Sequence, residues 1–141
     1  MTKQITIQHI KHIAHTLAAK TMDWNEPIPD FDTRYPNVLE SCLAAPFQKY
    51  SQKHLHTGLA GKGAVLFYLL IKNHPFQNGN KRIAVTTLLV FLYLNNKWLK
   101  ADNTELYNTA LWVAQSPAGA KDEAIGYMNK FINKRMVDVG S

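Results

Sequence analysis

Apolar positions along the chain recur at helical rather than alternating spacing. Ile5, Ile10, Ile13 and Leu17 form a stripe with polar residues between them, which predicts an amphipathic helix over residues 5–20. The cluster Asn25-Glu-Pro-Ile-Pro-Asp30 breaks it, and its two prolines predict an ordered, irregular connection. Pro36 is a favoured first-turn residue and predicts a short helix to Ala45, ended by Pro46. Residues 46–58 mix Phe47, Tyr50, His54 and His56 with polar residues, and the pattern does not separate a loop from a short hairpin. Leu59 to Ile71 is apolar with no period of two, and its length favours a buried helix. A second apolar helix carries Ile83, Thr87, Val90, Phe91 and Leu94 on one face and stops at Asn95-Asn96. Residues 104–115 and 121–135 read as two further helices, separated by Ser-Pro-Ala-Gly at 116–119. No repeat or low-complexity tract interrupts the chain. The expected architecture is one all-α domain over residues 1–141, a compact helical bundle with two apolar helices at its core.

Composition supports a globular chain. Of 141 residues, 46% are hydrophobic and 18% charged, enough to bury a core. Cys42 is the single cysteine, which excludes an internal disulfide framework and a Cys-rich zinc site and suits a reducing compartment. The N-terminal residues lack the long apolar run of a secretory signal. Ile83–Leu94 is too short to span a bilayer, so the expectation is a cytoplasmic protein with no membrane role. The formal charge of +6 suits an anionic partner. The sixteen basic residues are scattered rather than run together, so no direct nucleic-acid role is expected.

Candidate chemistry lies between the two core helices, in Asn73-His-Pro-Phe-Gln-Asn-Gly-Asn-Lys-Arg82. Pro75 disfavours helical geometry at His74, so the first helix must end there. Asn78-Gly79 tolerates positive φ, giving a tight turn and a close backbone approach. Asn80 is placed as the N-cap of the next helix. Lys81 and Arg82 then fall in its first turn, where the helix dipole favours acids rather than cations. A bound anion reverses that sign, because the helix end and both cations would face it. His74, across the same loop, offers a general base. A base and a phosphate cradle on one loop point to phosphoryl or nucleotidyl transfer to a hydroxyl. Lys72 either adds to the phosphate field or simply ends its helix favourably.

His74-Pro-Phe-Gln-Asn-Gly-Asn-Lys-Arg82 resembles the signature of the Fic/Doc superfamily, H-x-F-x-[D/E]-[G/A]-N-x-R, and the resemblance extends over about residues 5–135. Lys81 stands where Fic proteins have the second glycine of G-N-G, and Val85 where they carry a second arginine. Both features are similar to the Doc (death-on-curing) toxin branch. The resemblance implies a helical bundle with a short β-hairpin flap. It implies that His74 deprotonates a target hydroxyl, that Phe76 anchors the loop, and that Gly79, Asn80, Lys81 and Arg82 hold nucleotide phosphates. It also implies ATP and Mg²⁺ as cofactors, phosphorylation of a translation elongation factor as in Doc, and an antitoxin acting in trans. AMP transfer, as in most Fic proteins, is the alternative, as is a weakened relative that only binds a partner. Asn78 replaces the family's metal-holding acid with a neutral ligand, which lowers the expected Mg²⁺ affinity. The family's inhibitory pattern [S/T]-x-x-x-E-[G/N] is absent from both terminal helices: Glu26 lies in the proline-rich link and Asp122-Glu123 lacks the spacing.

Other residues carry weaker signals. Lys49, Tyr50, Lys53, His54 and His56 occupy the position of the family's target-binding flap, or a solvated loop. His9, His12 and His15 recur at spacing three without a fourth ligand and read as an exposed face rather than a metal site. Trp24, Trp98 and Trp112 read as packing residues.

Overall fold

A computed structural model describes residues 2–21, 27–50, 53–54, 56 and 58–140. Trp24 and Glu26 lie outside them. Helical segments α1 (Ile7–His9) and α2 (His15–Thr21) are joined by a π-helical turn at Ile10–Ala14. Then come α3 (Pro36–Ala44), β1 (Lys49–Tyr50), β2 (Lys53–His54), α4 (Gly58–Lys72), α5 (Asn80–Leu94), β3 (Lys97–Leu99), α6 (Asn103–Gln115), α7 (Lys121–Arg135) and β4 (Met136–Asp138). The all-α expectation holds, with α4 and α5 buried along most of their length. Gly63 lets α4 pack closely, since a Cβ there would meet Leu88 Cδ1 of α5 at 3.0 Å and Ile132 Cδ1 of α7 at 3.5 Å. No helix of the described residues is long and apolar enough to cross a membrane.

Among the described residues of the range 46–58 the open alternative closes in favour of a hairpin: β1 and β2 pair antiparallel, with Lys49 opposite His54. Three other expectations need correction. The first helix starts at Ile7, capped by the Thr6 side chain and by His9, whose ring closes a capping box. The π turn adds a residue to one turn and shifts the inward face. Ile10, Ala14 and Ala18 are therefore buried, while Ile13 and Leu17 are each 40% exposed. A second two-stranded sheet, β3 with β4, has no signature in the sequence, because three-residue strands are too short to show alternation.

Candidate active site

The loop between α4 and α5 is closed by a single side chain. Asn80 Oδ1 accepts from the Phe76 N–H at 3.0 Å, and Asn80 Nδ2 donates to the Phe76 carbonyl at 2.9 Å. Asn80 is itself 6% exposed, so this clasp is shielded from water. It is not the N-cap that the sequence suggests. Gly79 takes that position in left-handed conformation (φ 72), and its carbonyl accepts from the Ile83 N–H at 3.0 Å. A residue with a Cβ at position 79 would fall 2.7 Å from Ile28 Cδ1 and 3.0 Å from the Pro27 carbonyl oxygen. The proline-rich connection thus lies directly against the start of α5.

Phe76 is buried, 1% exposed, with its ring 6.0 Å from Phe31 and 5.9 Å from His15. His15 Nε2 lies 2.8 Å from the Pro29 carbonyl, and the Tyr35 N–H donates to the Pro75 carbonyl at 2.8 Å. Connection 27–35 and the first helical stretch therefore brace the loop from behind. His15 was legible only as one of three spaced histidines, and nothing local links it to residue 76. The three do not converge: His12 meets Gln8, His9 caps Thr6, and no group of three His, Cys, Asp or Glu suited to a metal occurs among the described residues.

His74 is exposed, at the open side of the loop, in the left-handed region (φ 49). Such a conformation costs a non-glycine residue about 1–3 kcal/mol and persists only where its surroundings hold it. Its Nδ1 lies 3.4 Å from Asn80 Nδ2. The Phe76 bonds fix the orientation of the Asn80 amide, so Nδ2 faces the imidazole as a donor. Nδ1 then accepts, and the neutral ring carries its proton on Nε2. To act as a base the ring must shed this long contact and take the proton at Nδ1, or change tautomer and take it at Nε2.

The cations of the motif divide. Lys81 is half-buried in the first turn of α5, beside the helix end. Arg82 is 7% exposed and donates through Nη2 to the Ala18 carbonyl, tying α5 to α2. Lys72 is not brought to the cradle. Its ammonium donates to the carbonyls of Ser116 at 2.6 Å and Ala114 at 3.3 Å, closing the C-terminal end of α6. Asn78 is exposed, and its Oδ1 accepts from the Gly79 N–H at 2.8 Å.

At the start of the loop, Asn73 hydrogen-bonds the Cys42 thiol, which burial pushes up to about 11 and this bond lowers in part. A thiol so placed is not a nucleophile. Trp98 is 43% exposed and lines an apolar groove of about 560 Å³ with Ile13, Leu17 and Tyr93, whose lining offers no transfer chemistry.

The Fic/DOC family model matches residues 4–92, more than half of the chain. No curated protein and no solved structure matches. Members of the family are typically transferases and generally use ATP with a divalent metal. The matched span holds the whole clasped loop from His74 to Arg82 and the elements that brace it, and the chain belongs to the Fic/DOC family.

Proposed function

We propose that the chain transfers the γ-phosphoryl group of ATP to a hydroxyl side chain of a target protein, as Doc toxins do. The observation that carries this reading is Lys81 in the first turn of α5, at a helix end formed by left-handed Gly79 and held by the Asn80 clasp. A helix N-terminus and an adjacent ammonium favour phosphate oxygens, and the brace behind the loop fixes their position before the nucleotide arrives. The target oxygen attacks the γ-phosphorus, the bond to ADP breaks, and the hydroxyl proton passes to His74. ADP leaves with its charge offset by Lys81. Arg82 supports this work by holding α5 against α2.

A divalent metal fits the loop poorly. Asn78 supplies no charge, and its oxygen already accepts the Gly79 N–H. No step is therefore assigned to a metal held by this chain. A lysine rather than a glycine after Asn80 crowds the cradle and argues for phosphate over AMP. The target expected from the Doc resemblance is a translation elongation factor, and the inhibitor an antitoxin acting in trans.

The test incubates the protein with elongation factor Tu and ATP labelled at the α or the γ position. γ-label on the target supports phosphorylation and α-label supports AMP transfer. No label from a protein that still binds ATP identifies a partner-binding relative. His74→Ala abolishes either transfer; labelling that persists removes His74 as the base.

A further inference from the structure

The helices α6 and α7 are joined by residues 116–120, and a groove of about 430 Å³ runs between them. Tyr127, Lys130, Phe131, Lys134 and Arg135 of α7 line it at spacings of three and four, so they form one stripe. At one end Tyr127 packs against Trp112 of α6, with ring centroids 4.4 Å apart and the planes tilted by 37°. Both rings remain nearly half exposed, at 47% and 44%. At the other end Arg135 pairs with Glu105 at 2.5 Å and lies 5.2 Å over the Phe131 ring. Lys130 and Lys134 are exposed, and neither has an ion-pair partner among the described residues.

Transfer at the motif loop uses none of these side chains. Exposed Trp and Tyr beside an ordered Arg are the residue types that anchor protein partners. The charges select the partner. The carboxylate in the groove, Glu105, is neutralised by Arg135, which leaves two lysines facing outward. A second copy of the chain would bring the same lysines against them, and the formal charge of +6 adds to that repulsion. A single-stranded nucleic acid needs open aromatic faces to stack on, and here Trp112 and Tyr127 cover part of each other. The seam, with α6 thirteen residues long, extends about 20 Å, the length of a helix of three to four turns.

We propose that the α6–α7 groove is a docking site for an acidic amphipathic helix of a partner protein. Its apolar side chains cover Phe131 and Tyr127, and its carboxylates meet Lys130 and Lys134. The C-terminal end of α6 is held by Lys72, the residue that closes α4 before the motif loop. A docked partner therefore rests on an element bonded to the helix that carries the loop. Docking does not depend on the transfer reaction and is read without ATP, so failure of either reading leaves the other standing.

The test uses fluorescence anisotropy on the full chain with a labelled peptide of about 18 residues, leucine at helical spacing on one face and glutamate on the other. A labelled oligothymidylate of about 12 nucleotides is run in parallel. The peptide binds in the micromolar range and weakens with added salt. It loses about tenfold in affinity with K130E/K134E and about tenfold with Tyr127→Ala. All three positions are on the surface, and an unchanged melting curve verifies folding; Lys130→Gln with Lys134→Gln repeats the test if the charge reversals unfold. The proposal is overturned by any of four results: no peptide binding at about 1 mM, binding indifferent to the lysine variants, preference for the oligonucleotide, or a dimer that Trp112→Ala dissolves.

Discussion

Gly79→Ala tests the account of how the loop is built. Position 79 has φ +72, where an L-residue is disfavoured by about 1–2 kcal/mol. The added Cβ would sit 2.7 Å from Ile28 Cδ1, the end of a flexible side chain that can turn aside. It would also sit 3.0 Å from the Pro27 carbonyl oxygen, which is backbone and must move with its neighbours. Overpacking of this kind costs about 1–3 kcal/mol. Together the two effects give a loss of about 2–5 kcal/mol, or roughly 6–15 °C in Tm for a chain of this length. Gly126→Ala is the control, because it lies within α7 with nothing within 4 Å of the new Cβ. That change stabilises by about 0.5–1 kcal/mol. Urea and thermal unfolding of both variants give the comparison. A loss under about 0.5 kcal/mol for Gly79→Ala would refute the packing of the proline-rich connection on the start of α5.

Lys72→Met separates capping from phosphate binding: it lowers stability by about 1–3 kcal/mol and leaves ATP affinity unchanged in calorimetric titration. Lost affinity at full stability would return Lys72 to the phosphate site. Asn78→Asp raises Mg²⁺ affinity by about tenfold and increases metal-dependent label transfer, and an unchanged metal titration would show that this position does not address the ion. His56 is held below its ordinary value of 6.5 by burial and by the charges of Lys62 and Lys121. The unfolded chain therefore binds the proton more readily, so the contribution of His56 to stability is lost as pH falls through its unfolded value. His56→Gln flattens the decline of Tm between about pH 7 and about pH 5; an unaltered slope would count against this assignment.

Where an element is set by its own local pattern, the sequence shows it. The apolar runs of α4 and α5 gave their bounds to within a residue or two, and the motif between them marked the loop. Each expectation that failed depended on a contact the local pattern does not carry. Ile13 and Leu17 look inward on a regular helix, and only the π turn at Ile10–Ala14 turns them out. Asn80 has the residue type of an N-cap, yet its amide pairs with the Phe76 backbone and leaves that position to Gly79. Lys72 and Arg82 carry charges suited to phosphate, and their side chains also bond carbonyls 44 and 64 residues away in sequence, contacts that no local pattern announces. Such partners follow from the tertiary packing and leave no trace in spacing.

Transfer at the motif loop requires that ATP bind there. Titration of the isotope-labelled protein with ATP, followed through its backbone amide resonances, locates the nucleotide residue by residue. The largest shifts are expected at residues 77–82, with affinity reduced about tenfold by Lys81→Ala. Shifts centred elsewhere, with residues 77–82 unmoved, would contradict it.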